Sequence, residues 1–114
     1  MATSKPAVFA EEILRHHKLL DCFDGISAAT LDGTVQEKPD IIRAVLKELP
    51  EADKKDVIMI GDRRFDILGA KECGIRSIGV RYGFPEPGEL EEAEADWIAD
   101  NVEQLRRILL EADV

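Results

Sequence analysis

The sequence predicts an α/β fold, a mostly parallel sheet with helices on both faces. Three observations predict it. Short apolar runs alternate with amphipathic stretches of helical length along the whole chain. The run Val57-Ile58-Met59-Ile60 is unbroken and apolar, and its length suits a strand covered on both faces. Gly61-Asp62 then turns the chain directly into another helical pattern. Right-handed crossovers between parallel strands put helices on both sides of such a sheet. Ligands then collect beyond the C-terminal ends of the strands. The 114 residues suit one domain spanning 1–114, able to bury roughly 65% of its unfolded surface.

Each element has its own signal. A first helix is predicted over Ala7 to Leu20, with Val8, Ile13, Leu19 and Leu20 as its apolar stripe and Pro6 near its start. Phe23 to Ala29 is short, apolar and small, and reads as a buried strand. Leu31 to Gln36 contains the turn signal Asp32-Gly33. A second helix runs from Pro39 to Leu49, with Ile41, Ile42, Val45, Leu46 and Leu49 at helical spacing, and Pro50 ends it. The strand of Asp56 to Ile60 follows. A third helix, Phe65 to Cys73, is closed by Gly74. Ser77 to Val80 is a strand, Gly83 to Gly88 a loop, and Trp97-Ile98 a short edge strand. The last helix spans Val102 to Leu110, with Val102, Leu105, Leu109 and Leu110 inward.

Composition narrows the function. Apolar residues make up 45% and charged residues 34%, ordinary for soluble globular material. A net charge of −9 leaves no basic excess to offset phosphates. This argues against nucleic acid and against anionic membrane as partners, while a few local cations can still hold one phosphate. No apolar run reaches the roughly 20 residues that span a bilayer. Cys22 and Cys73 have no metal-ligand spacing, so reduced thiols and a cytoplasmic location are expected. His16 and His17 lie mid-helix with no partner pattern and are read as surface or packing residues.

The strongest chemical signal is Val57 to Ala70, VIMIGDRRFDILGA. Asp62 leaves the end of a strand, and Asp66 lies four residues on, near a helix start. Two carboxylates at a strand's end can hold a hard divalent cation such as magnesium, which takes oxygen ligands and keeps several waters. The plainer reading makes Asp62 a helix cap and Asp66 a favourable charge at the helix's positive end. Arg63 and Arg64 read as solvated surface.

The run hhhhGDxxxDhxGA resembles the fourth signature motif of the haloacid-dehalogenase (HAD) superfamily of phosphatases. By that resemblance Asp62 binds magnesium and Asp66 supports the site. Thr3-Ser4-Lys5-Pro6 resembles the second motif, in which the hydroxyl bonds the transferring phosphoryl group. Taken alone, Thr3 and Ser4 would be read as helix caps. Lys38, before Pro39, sits where the family places the lysine that neutralises charge on nucleophile and phosphoryl group. The tract Ile78 to Phe84 is similar to phosphoglycolate-phosphatase-like members. The resemblance runs from about Ala2 to Leu110 and implies a Rossmann-like core acting on a small phosphorylated metabolite.

The family's first motif, DxDGT, supplies the aspartate that attacks phosphorus and the aspartate that handles protons. Thr30-Leu31-Asp32-Gly33-Thr34 has Thr30 in the attacking position, no long apolar strand before it, and the wrong place in motif order. It reads as a turn. The resemblance therefore implies a C-terminal portion of the core, inactive alone, without the central first strand and the cap. The Phe23 to Ala29 strand is then expected to lack an ordinary neighbour. Re-pairing within the chain, a homodimer, or a separate N-terminal segment across the exposed edge would remedy it. The alternative is a non-catalytic α/β module that only binds or assembles. A receiver-like or flavodoxin-like domain is a weaker third reading, because no acidic phosphoacceptor cluster follows an early strand.

Overall fold

The computed structural model describes residues 1–29, 37–49 and 53–111. The expected turn at Asp32-Gly33, the TLDGT stretch and the helix stop at Pro50 lie outside the described residues. The chain forms two compact units, residues 1–51 and 52–114, and each is described in turn.

In the first unit, β1 (Ala2–Pro6) leads straight into α1 (Ala7–His16). A single 3₁₀ turn, Leu20–Cys22, precedes β2 (Ser27–Ala29), and α2 (Lys38–Lys47) follows. The strands β1 and β2 pair in parallel, Ala2 with Ser27 and Thr3 with Ala28, with an irregularity before Pro6 pairs with Ala29. Pro6 has no N–H for a ladder, and the Lys5 N–H donates to Thr3 Oγ1 at 3.2 Å, so regular pairing gives way there. This corrects the expectation that the Phe23 to Ala29 segment lacks an ordinary neighbour. It also shortens that strand, because only Ser27 to Ala29 pair with β1 and Phe23 is exposed.

The buried side chains of this unit are Ala10, Leu14, Ala29, Ile41 and Ile42. The Ser27 hydroxyl, also buried, donates to the Ile41 carbonyl at 2.9 Å and ties β2 to α2. The inward face of α1 is therefore Ala10 and Leu14, four apart, and not Val8 and Ile13, which are exposed. Leu19 and Leu20 lie beyond the end of α1, after Lys18, whose φ of 58° breaks the helical path.

The second unit opens with a 3₁₀ turn at Lys54–Asp56. Its three-stranded parallel sheet has the order β3 (Ile58–Gly61), β4 (Arg76–Val80), β5 (Trp97–Ala99). Side chains alternate across it. Ile78, Val80 and Ala99 pack with Ile58, Trp97, Leu105 and Ile108, so the last helix, α5 (Val102–Glu111), covers one face. Ile98 belongs to the other face, with Ile67 of α3 (Arg64–Cys73) and with Leu90 and Ala93 in and beside the short α4 (Glu89–Glu92). On α5, Leu105 and Ile108 pack inward, three apart, while Val102, Leu109 and Leu110 are exposed, contrary to the expected set. The strand β3 is an edge of this sheet, and Ile60 is 40% exposed, so it is not covered on both faces within the unit.

Gly74 closes α3 as expected. Its φ is +74°, its N–H donates to the Lys71 carbonyl, and the Ile75 N–H reaches back to Ala70 at 3.0 Å. This pair of bonds satisfies two carbonyls that the helix end would otherwise strand.

Candidate functional site

The site begins where β3 ends. Gly61 completes the strand, residues 62 and 63 turn, and α3 starts at Arg64. The Asp66 N–H donates to the Arg63 carbonyl at 3.1 Å, and the Asp66 carboxylate accepts the Arg63 N–H at 3.3 Å. Asp66 is thus a buried brace for the first turn of α3, which also places a negative charge at the helix's positive end. A Cβ on Gly61 would overlap Asp66 at its Cβ, Cγ and Oδ2. Glycine is required there because the strand end passes against that carboxylate.

Asp62 does not cap the helix. Its Oδ2 accepts the Phe84 N–H at 3.0 Å, from the segment after β4. A Cβ on Gly83 would lie 2.5 Å from the Asp62 Cβ. Glycine at 83 therefore lets the neighbouring backbone close on the Asp62 side chain. The Phe84 ring itself is 88% exposed beside this loop.

Arg63 and Arg64 are not simply solvated. Arg63 Nε donates to both oxygens of Glu89, at 3.0 and 3.1 Å. The Arg64 N–H reaches the same carboxylate at 3.0 Å, and its guanidinium lies 3.6 Å away. The Glu86 N–H adds a bond of 2.7 Å. Both guanidinium groups also lie over the Phe65 ring, at 5.3 and 4.7 Å. Sequence reasoning missed Glu89. It stands in the acidic run Glu-Leu-Glu-Glu, where every carboxylate looks like solvated surface.

The Glu89 carboxyl is held down at about 2, from an ordinary 4.5. The Glu86 N–H is the largest cause, followed by the Arg64 N–H, with burial opposing and Arg63 adding to the effect. A carboxylate depressed in the folded state stabilises the fold above its unfolded pKa, and that contribution is lost as pH falls through the folded value. The stability difference between the natural chain and Glu89→Gln is therefore expected to be full above about pH 5 and to shrink toward pH 2. Urea unfolding at pH 6 and pH 3 checks this. An equal difference at both would contradict the ionised grip.

The other predicted residues lie in the first unit. Thr3 is half-buried on β1, its hydroxyl accepting the Lys5 N–H, and Ser4 is exposed beside it. Lys38 Nζ donates to the Ala2 carbonyl at 3.3 Å, the peptide that leads into Thr3. The first unit thus brings Lys38 to the strand of Thr3 and Ser4. The second unit brings Asp62 and Asp66 into one loop.

The donor set of that loop fits magnesium in kind: two carboxylates and no sulfur or imidazole. Among the described residues no group of three or more His, Cys, Asp or Glu side chains is placed to hold a metal ion. Two protein carboxylates completed by water is a normal arrangement for magnesium. Among the described residues no helix is long and apolar enough to cross a membrane.

Comparison with known proteins gives these features a family. A HAD-hydrolase-like family model matches residues 35–105. A 5'-nucleotidase of Pseudomonas aeruginosa is 40% identical over 109 residues, covering 96% of this chain and 49% of that protein. A phosphoglycolate phosphatase of Vibrio vulnificus is 31% identical over 111 residues, covering 96% and 48%. The crystal structure of a predicted phosphatase from Clostridium acetobutylicum superposes with a TM-score of 0.91 at 44% identity, over 96% of this chain and 50% of that one. The chain spans about half the length of the relatives it matches.

Proposed function

The chain belongs to the HAD-like hydrolases, and on that premise we propose that it forms part of a phosphatase acting on small phosphate monoesters, phosphoglycolate-like substrates among them. The observation that carries the reading is Asp62, a carboxylate at the C-terminal end of a parallel strand, with Gly83 and the Phe84 N–H fixing its position. Asp62, with Asp66 behind it, would hold magnesium. Bound there, magnesium supplies positive charge against the phosphoryl oxygens. Thr3 and Ser4 would donate hydroxyl hydrogen bonds to the phosphoryl group, and Lys38 would add a point charge. Its bond to the Ala2 carbonyl holds the ammonium at the peptide that leads into Thr3.

No DxDGT sequence occurs in the 114 residues. These residues alone would then bind the metal yet turn over substrate negligibly. The partner of the site is a small phosphorylated metabolite, and the compartment is the cytoplasm, in keeping with a sequence whose two cysteines, Cys22 and Cys73, have no metal-ligand spacing. Titration with Mn²⁺, followed by electron paramagnetic resonance, tests the assignment. Asp62→Asn is expected to weaken Mn²⁺ binding by about 100-fold or more, since loss of a supporting group alone costs roughly 10- to 100-fold. Equal binding by the variant would remove Asp62 from the site.

A further inference from the structure

We infer that Glu89 is the positioning residue of the acidic loop, its buried carboxylate gripping the loop at Arg63 and Arg64 so that Asp62 is held in a fixed place. The inference rests on the metal-binding reading of Asp62 but is carried by a separate set of contacts. The Glu89 side chain is only 3% exposed. Its two oxygens are shared among three donors: Arg63 Nε to both, Arg64 N–H to Oε2 and Glu86 N–H to Oε1. Two of these donors come from the loop that Asp62 opens.

The geometry explains why a carboxylate is needed there. Glu86, Gly88 and Glu89 follow directly on Gly83 and Phe84. One chain segment therefore touches the loop twice, at Asp62 through the Phe84 N–H and at Arg63 and Arg64 through Glu89. Asp62 is itself the first of these anchor points, and the second begins one residue on, at Arg63. A bond at Phe84 alone would leave the loop free to pivot about it. A glutamine at 89 would offer one acceptor oxygen in place of two, and turn an NH₂ group toward an N–H donor. One of the two backbone N–H groups would then lose its partner.

A plain surface ion pair would look different. Arg81 with Glu91 and Asp100 is such a case in the same unit, with all three side chains about half exposed. Exposed pairs of that kind do little for geometry or stability. Glu91→Gln therefore serves as the control, removing one carboxylate charge two residues away without touching the loop.

The test follows Mn²⁺ affinity by electron paramagnetic resonance and the Phe84 and Arg64 amides by NMR, in the natural chain, Glu89→Gln, Glu91→Gln and Arg63→Gln. Glu89→Gln is expected to weaken Mn²⁺ binding about 10- to 100-fold, to displace the Phe84 and Arg64 amide signals, and to speed their hydrogen exchange. Glu91→Gln should match the natural chain in both. A folded Glu89→Gln with natural affinity and unmoved amides would overturn the inference. If Glu89→Gln does not fold, Arg63→Gln decides. It keeps the backbone bonds and removes the guanidinium, so an intermediate loss with a shifted Phe84 amide supports the inference, and no change overturns it. If the natural chain binds no Mn²⁺, the metal reading fails. The positioning role is then decided by the Phe84 amide in Glu89→Gln.

Discussion

Ile67→Ala is expected to cost about 2–5 kcal/mol of stability, a loss seen when buried isoleucine is cut to alanine in a close-packed core. Ile67 is fully buried, among Leu90, Ala93, Ala95 and Ile98. It anchors α3 to the sheet one residue after Asp66, so the cavity would open directly behind the acidic loop. Domains of this size hold only about 5–15 kcal/mol in total. Urea unfolding measures the loss. Because Ile67 supplies no carboxylate to the loop, the surviving folded fraction should still bind Mn²⁺, more weakly. A cost below about 1 kcal/mol would mean that this cluster is not the core of the second unit.

Gly61→Ala is expected to cost about 2–4 kcal/mol and to weaken metal binding at the same time. Overpacking costs typically about 1–3 kcal/mol, and loss of a helix-start bond about 1 more. The added methyl group would overlap the Asp66 Cβ as well as its carboxylate. A rotamer change cannot clear a clash at Cβ, so α3 must shift or β3 must bend. Either movement strains the Arg63 N–H bond to Asp66 and displaces Asp62. Unfolding and Mn²⁺ titration on the same sample check both effects. An alanine variant with natural stability would show that the strand end and Asp66 are not in contact.

The loop was legible in the sequence because its signals are local. An apolar run, a glycine, two carboxylates four apart and a closing glycine at 74 are all determined by neighbours in the chain, and β3, α3 and the αL turn at Gly74 form where expected. The faces of the outer helices were less legible. On α1 the large side chains Val8 and Ile13 suggested a stripe, yet the face against the strands is Ala10 and Leu14. Small residues let a helix approach a sheet closely, and a hydrophobicity pattern underrates them. On α5 the paired residues are Leu105 and Ile108.

Glu89 was illegible for a different reason. Its partners Arg63 and Arg64 are 26 and 25 positions away, and a four-residue helix is too short to show a period. Nothing local separates Glu89 from Glu91 or Glu92. The pairing of β2 with β1 was likewise hidden, because Thr3-Ser4-Lys5 has no apolar pattern and becomes a strand only through its partner.

These expectations rest on the proposal that this chain carries the metal-binding and phosphate-cradling part of a HAD phosphatase core. The direct measurement joins it to the part of the Clostridium acetobutylicum predicted phosphatase that it does not span, half of that protein, and assays p-nitrophenyl phosphate hydrolysis with magnesium. Magnesium-dependent turnover by the chimera is expected, lowered about 100-fold or more by Asp62→Asn, with none from the 114 residues alone. A folded chimera without activity, or one whose activity survives Asp62→Asn, would contradict it.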